Sequence, residues 1–114
     1  MIKNIIEMIE SGENNSAIIQ ALKDYNMFIV RNAISKLSFF ELKAVTAVFT
    51  DGLTEKTYRA NKVAKEIEVT RSILVTAMDK LQTAGIIDHK SMGCLGCAYT
   101  VLNENIFQVL QEVA

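Results

Sequence analysis

The chain of 114 residues has the length of one ordinary domain, and its 50% hydrophobic and 22% charged residues make a globular composition, not a disordered one. Twelve Lys and Arg against thirteen Asp and Glu give a net charge of -1, which excludes a strongly basic protein that coats nucleic acid through charge alone. No apolar run approaches the ~18 residues of a bilayer span, and two cysteines without a secretory signal make no disulfide framework, so a cytoplasmic protein with no membrane association is the expectation.

In chain order, Ile2, Ile5, Ile6 and Ile9 fall on one face of a short amphipathic helix that Ser11-Gly12 stops. A second helix is expected from about Ser16 to Lys36, with one apolar stripe of Ile18, Leu22, Tyr25, Ile29 and Ala33 and another of Met27, Val30, Ile34 and Leu37. A helix apolar on two sides has two partners, so residues 1–37 are expected to form a helical segment that pairs two copies as a homodimer. Ser38-Phe39-Phe40-Glu41 has the form of a capping box, flanked by Leu37 and Leu42 as a hydrophobic staple. The helix it opens carries Leu42, Val45, Val48 and Phe49 inward and ends at Asp51-Gly52. Leu53 to Ala60 lacks clear periodicity and is assigned a turn and a short strand.

From Asn61 the spacing becomes specific. Asn61 caps a short helix with Val63, Ala64 and Ile67 inward, Glu68-Val69 makes a tight connection, and Thr70 caps a further helix with Ile73, Leu74, Ala77, Met78 and Leu81 inward. This is a helix-turn-helix in which small Ala64 lets the helices cross closely and Val69 plugs the corner. Glu68 stands where such a turn favours a positive φ, and hence glycine, at a cost of about 1 kcal/mol. Arg71, Ser72, Val75, Thr76 and Asp79 face outward, at the helix start that such motifs push into the major groove. Ala84-Gly85 ends that helix, and the β-prone runs 86–91 and 97–102, joined by Met92-Gly93-Cys94-Leu95-Gly96, predict a hairpin wing. Asn103 caps a last helix with Ile106, Phe107, Leu110 and Val113 inward. The fold class is therefore mainly α with a small β-hairpin wing, residues 38–114 forming a winged helix-turn-helix domain behind two N-terminal helices.

Ala60-Asn61-Lys62-Val63-Ala64-Lys65-Glu66, Val69-Thr70-Arg71-Ser72-Ile73-Leu74-Val75, Lys80-Leu81 with Ala84-Gly85-Ile86-Ile87, and Gly93, Gly96 and Val101-Leu102-Asn103 together resemble the DNA-binding half of the CodY family of nutrient-sensing repressors. The resemblance covers roughly residues 33 to 105 and is most specific over 60 to 103. It implies a winged-helix transcription regulator with Thr70-Arg71-Ser72 at the DNA surface. The chain departs from the family pattern at Asp79, Leu95 and Thr100, where the family carries basic residues. In the family a separate N-terminal domain senses branched-chain amino acids, with GTP as a second effector. Here the ~37 residues before Ser38 read as two helices, which are poorly able to enclose the ~300 Å³ or more of a ligand pocket, so a repressor without the effector-sensing domain, and with no small-molecule effector, is expected.

The candidate DNA contacts are Asn61, Lys62, Thr70, Arg71, Ser72, Val75, Thr76, Lys80 and Lys90. Arg71 can grip guanine O6 and N7 or clamp a phosphate, Ser72 and Thr76 can bond base edges or backbone, and Lys62, Lys65, Arg59, Lys80 and Lys90 suit phosphate. Residues 59–90 hold six Lys and Arg against four Asp and Glu, while residues 91–114 hold two Glu and no Lys or Arg, so the asymmetry has the sign a DNA surface needs. Cys94-Leu95-Gly96-Cys97 with His89 falls short of the four ligands of a structural zinc site, and a hairpin offers no helix N-terminus to activate a thiol, so the cysteines read as small residues of a wing turn. Gly93-x-x-Gly96 resembles the glycine loop of a KH module, but that loop joins helices and this one joins strands. A single His, no Walker loop and no dinucleotide fingerprint argue against an enzyme. No catalytic residue, metal or cofactor is expected. The partner is double-stranded DNA; the alternative is a winged-helix protein-interaction module that uses its N-terminal helices and does not bind DNA.

Overall fold

The structure, a computed structural model, describes residues 15–93 and 96–113. The Ile2, Ile5, Ile6 and Ile9 stripe and the wing residues Cys94 and Leu95 lie outside the described residues. Helix α1 (Asn15–Ser35) runs uninterrupted because no Gly or Pro breaks it. It meets the core only from Met27 onward: Val30 and Ile34 are buried, and Met27, Ile29, Ala33 and the following Leu37 pack against them. Of the other expected stripe, Leu22 and Tyr25 are exposed, as are Ile19 and Phe28, while Ile18 is buried outside the main core cluster.

Helix α2 (Phe39–Phe49) opens with the expected capping box. The Ser38 backbone N–H donates to Glu41 Oε1 at 2.9 Å and the Glu41 N–H donates to Ser38 Oγ at 3.2 Å, so two of the helix's orphan donors are satisfied. Its buried face is Ala44, Val45, Val48 and Phe49. The unperiodic stretch that follows contains strand β1 (Glu55–Tyr58), which belongs to the wing sheet.

Helices α3 (Ala60–Glu66) and α4 (Arg71–Thr83) form the helix-turn-helix. The turn between them follows from the way α3 ends. Val69 N–H donates to Ala64 O at 3.0 Å and Glu68 N–H to Lys65 O at 3.3 Å, the paired bonds of a Schellman cap. That cap requires a left-handed residue after the helix, and Glu68 takes it at φ 60°. The same device ends α4, where Gly85 at φ 77° fills the position without penalty and Ile86 N–H donates to Leu81 O at 3.0 Å. Ala64 is buried, and Leu74, Ala77, Met78 and Leu81 are fully enclosed along the inner face of α4.

Strands β2 (Ile87–Ser91) and β3 (Cys97–Val101) form the hairpin, and β3 is central in an antiparallel sheet of order β1-β3-β2. The sheet therefore has one strand more than the hairpin, with Tyr58 of β1 opposite Cys97 of β3, and Ser91 of β2 opposite the same cysteine. Tyr99 lies at the sheet's centre against Phe49, ring centroids 4.6 Å apart, and its hydroxyl donates to Leu53 O at 2.9 Å. Helix α5 (Asn105–Val113) buries Ile106, Val109 and Leu110. Val113, expected inward, is exposed because it lies one turn past the last core contact, and Val109 supplies the buried position instead. Asn103 Oδ1 accepts from Asn105 N–H at 3.2 Å, and Asn103 Nδ2 donates to Asn26 O at 2.9 Å, tying the start of α5 to α1.

Candidate nucleic-acid interface

Thr70 sets the register of the exposed face of α4. Its backbone is extended, its Oγ1 accepts from Ile73 N–H at 3.3 Å, and it lies 3.1 Å from Ser72 Oγ. With Leu74, Ala77, Met78 and Leu81 committed to the core, helical spacing turns Arg71, Ser72, Val75, Thr76 and Asp79 to the other side. These five line an open groove of about 550 Å³ between α4 and the wing, whose further walls are His89, Ser91 and Cys97. The groove presents a cation and two hydroxyls near the helix's positive end, a half-buried apolar Val75, and one carboxylate at Asp79.

Arg71 also borders a second, smaller cleft, of about 280 Å³, with Arg59, Asn61, Lys62, Gly93 and Gly96. The structure thus brings Asn61, Lys62, Arg71, Ser72, Val75 and Thr76 to two adjoining concavities, with Thr70 acting as the cap that orients them. Lys80 and Lys90 line neither. Lys80 Nζ lies 2.8 Å from the Glu41 carboxylate, so its charge is held at the start of α2. Burial pushes the Glu41 carboxyl up, but the Lys80 hydrogen bond, the Ser38 bonds and the Lys80 charge outweigh it and hold the group below its usual range. Lys90 alternates with buried His89 on β2 and so stands with Asp88 on the sheet face turned away from α4.

Beneath the groove lies a polar cluster that spacing along the chain does not announce. Tyr58 Oη and His89 Nε2 are 2.7 Å apart in near-parallel rings, and His89 Nδ1 faces Asp79 Oδ1 at 3.7 Å. Burial lowers the His89 pKa despite the Asp79 and Asp88 charges, which favours the neutral ring. Burial first, and then the neighbouring Cys97, raise that of Tyr58. The cluster joins β1 to β2 by a hydrogen bond and brings both against Asp79 of α4. Its members come from strands 31 residues apart, and only the pairing of β1 with β3 assembles them.

Helices α2, α3 and α4 packed on one another, with a polar outer face on capped α4 and a wing alongside it, define a winged helix-turn-helix domain. Residues 54–114 match the family model described as the CodY helix-turn-helix domain, and the chain belongs to that family. It is similar to the global transcriptional regulator CodY of an Exiguobacterium species, 37% identical over 86 residues, which is 75% of this chain and 33% of that protein. The proteins of the same name from Bacillus mycoides and Bacillus cereus are each 38% identical over 86 residues, again 75% of this chain and 33% of theirs. The chain therefore spans about a third of the length of the curated relatives it matches. Among the described residues no helix is long and apolar enough to cross a membrane.

Proposed function

We propose that these 114 residues bind double-stranded DNA sequence-specifically in transcription control, with the N-terminal turn of α4 in the major groove. The observation that carries this reading is the open groove where Arg71, Ser72, Val75 and Thr76 converge beside the wing. Arg71 suits bidentate recognition of guanine, Ser72 and Thr76 suit base edges or backbone, and Val75 suits a thymine methyl. Arg71→Ala is expected to weaken binding to a selected preferred duplex by ~1–3 kcal/mol, roughly 5- to 150-fold, with the fold intact. Affinity equal to wild type on that duplex would remove Arg71 from the interface.

Residues 1–37 act in this reading as a dimerisation segment. Exposed Ile19, Leu22, Tyr25 and Phe28 on α1 support it, since apolar side chains grouped on one element mark an interface, and two-fold symmetry suits paired half-sites. Sedimentation is expected to give a dimer at micromolar concentration that deletion of residues 1–15 weakens. DNA affinity is expected to be indifferent to isoleucine, leucine, valine and GTP, because the trough beside α1, though about 740 Å³, is an open channel between α1 and α4. A shift beyond about threefold, or roughly 0.65 kcal/mol of coupling, would place an effector site on these residues.

A second reading, a protein-interaction module that does not bind DNA, draws on the same exposed face of α1 and on the Asp79 carboxylate, which would repel phosphate from the far end of the groove. No measurable duplex affinity at low salt, together with a persistent dimer, would favour it.

A further inference from the structure

The smaller cleft has a composition that the base-reading groove lacks. Its lining side chains supply three cations, Arg59, Lys62 and Arg71, with the Asn61 amide, and among the described residues no carboxylate lines it. No ion pair engages Arg59, Lys62 or Arg71 among the described residues, whereas Arg31, Lys56 and Lys80 are each held by a carboxylate. Like charges gathered in one concavity repel each other unless an anion joins them.

The close approach of the wing builds this cleft. Gly96 sits at φ 95°, and a Cβ there would lie 2.5 Å from Tyr58 O and 3.5 Å from Arg59 Cγ. The base of the wing is therefore pressed onto the β1–α3 junction, and the stem of Arg59 forms part of the contact. Met92 N–H donates to Gly96 O at 2.7 Å, which holds Gly96 beside the end of β2. Arg59 and Lys62 also line a neighbouring hollow with Lys56. There Glu66 is present and Lys56 is bound to Asp51 at 2.6 Å, so the uncompensated positive charge is concentrated in the cleft with Gly93 and Gly96.

We propose that the cleft between the start of α3 and the base of the wing is a phosphodiester-binding pocket for the duplex backbone, with Arg59 as its central contact. The proposal rests on the DNA-binding reading and adds to it a built site, outside α4, for the phosphate-suited Arg59. Arg71 then lies at the junction of two sites, with base edges on one side and a backbone phosphate on the other. Arg59 offsets the carboxylate that Asp79 places in the larger groove, because it supplies the cation on the opposite side of Arg71. A phosphate contact positions the protein without reading sequence.

The test uses the 114-residue chain, a selected preferred duplex and a random duplex of equal length, with anisotropy measured between about 50 and 200 mM salt. Arg59→Gln is expected to weaken both duplexes by the same factor and to lower the salt slope by about 0.9, so that the affinity lost over this range shrinks about three- to fourfold. Arg59→Lys, which keeps the charge, is expected to restore the slope, and melting curves establish that both variants fold. An Arg59→Gln slope equal to wild type, while wild type binds, overturns the pocket and leaves the DNA-binding reading standing. Loss on the preferred duplex alone also overturns it, since that is the signature of base reading. A wild-type chain with no duplex affinity overturns both readings. Inorganic phosphate at matched ionic strength is expected to leave affinity unchanged; specific competition that Arg59→Gln abolishes would assign the cleft to a free phosphate compound and overturn its assignment to the backbone.

Discussion

Lys80 separates what helical spacing says from what packing does. Counted along α4 it lies one turn beyond Thr76 and two beyond Ser72, and a lysine there suits phosphate; in the folded chain its ammonium meets Glu41, 39 residues earlier. The Lys80 side chain is 47% exposed and that of Glu41 only 9%. Removing one partner of a fully buried pair costs ~3–5 kcal/mol, and an exposed pair contributes ~0.2–1 kcal/mol. A pair with one end in solvent falls between, so Lys80→Ala is expected to destabilise by about 1–2 kcal/mol, lowering the melting midpoint by about 4–10 °C for a domain of this size. In a Glu41→Gln background the same change should cost much less, because no buried charge is left uncompensated. Thermal melts of the four members of this cycle measure the coupling, and salt titrations of duplex binding measure the other half. Lys80→Ala is expected to leave the salt slope unchanged. A slope lower by about 0.9 with an unaltered melting midpoint would put Lys80 on a phosphate and refute the reasoning.

Gly96→Ala is expected to destabilise by more than about 2 kcal/mol, since a left-handed residue costs ~1–2 kcal/mol before the overlap with Tyr58 O is counted; urea midpoints measure the loss, and a neutral result would mean that the wing base can shift freely. Glu68→Gly is expected to stabilise slightly, by about 0.5 kcal/mol, as relief of the positive φ exceeds the added unfolded-state entropy; destabilisation in the same assay would show that the side chain contributes more than its strain costs. His89 has a folded-state pKa below its ordinary 6.5, so as pH falls past 6.5 the unfolded chain takes up the proton first and stability declines towards the lowered value. Urea midpoints are expected to fall across that window in wild type and to fall less in His89→Gln. Glu41, also lowered, contributes above its ordinary 4.5 and loses that contribution only further into acid, so the two windows separate.

Most of the helix-turn-helix is legible in the sequence because its determinants are local, although Asn61, expected to cap α3, lies inside that helix behind Arg59, whose side chain makes no cap bond. The Ser38 and Thr70 caps, the inward spacing of Leu74, Ala77, Met78 and Leu81, and the Gly85 stop all act within one or two turns of chain. β1 was legible as a short strand within the unperiodic stretch 53–60, but not by its bounds or its partner. Four residues, Glu55 to Tyr58, carry too little alternation to fix those bounds, and the strand's register comes from β3, where Glu55 pairs with Thr100. The end of α5 misled for a related reason. Val113 keeps the period of Ile106, but a helix that outlasts its core exposes its last turn whatever its pattern.

The site divides along the same line. Arg71, Ser72, Val75 and Thr76 follow from the cap and the period, and the two-residue alternation of β2 already separates Lys90 from His89. The floor of the groove and the cation cleft do not follow, because each is a junction of segments distant in sequence. Tyr58 reaches His89 and Cys97 only once β1 has joined β3, and Arg59 becomes a neighbour of Gly96 only once the wing has folded back on the β1–α3 junction. This also explains how a chain of net charge -1 can present a surface suited to DNA. Three of its acidic residues, Glu41, Asp51 and Glu112, are each paired with a cation outside the cleft, while Arg59, Lys62 and Arg71 converge where, among the described residues, no carboxylate lines the surface. Their local field, not the net charge, is what a backbone phosphate would meet at about a Debye length of 8–10 Å.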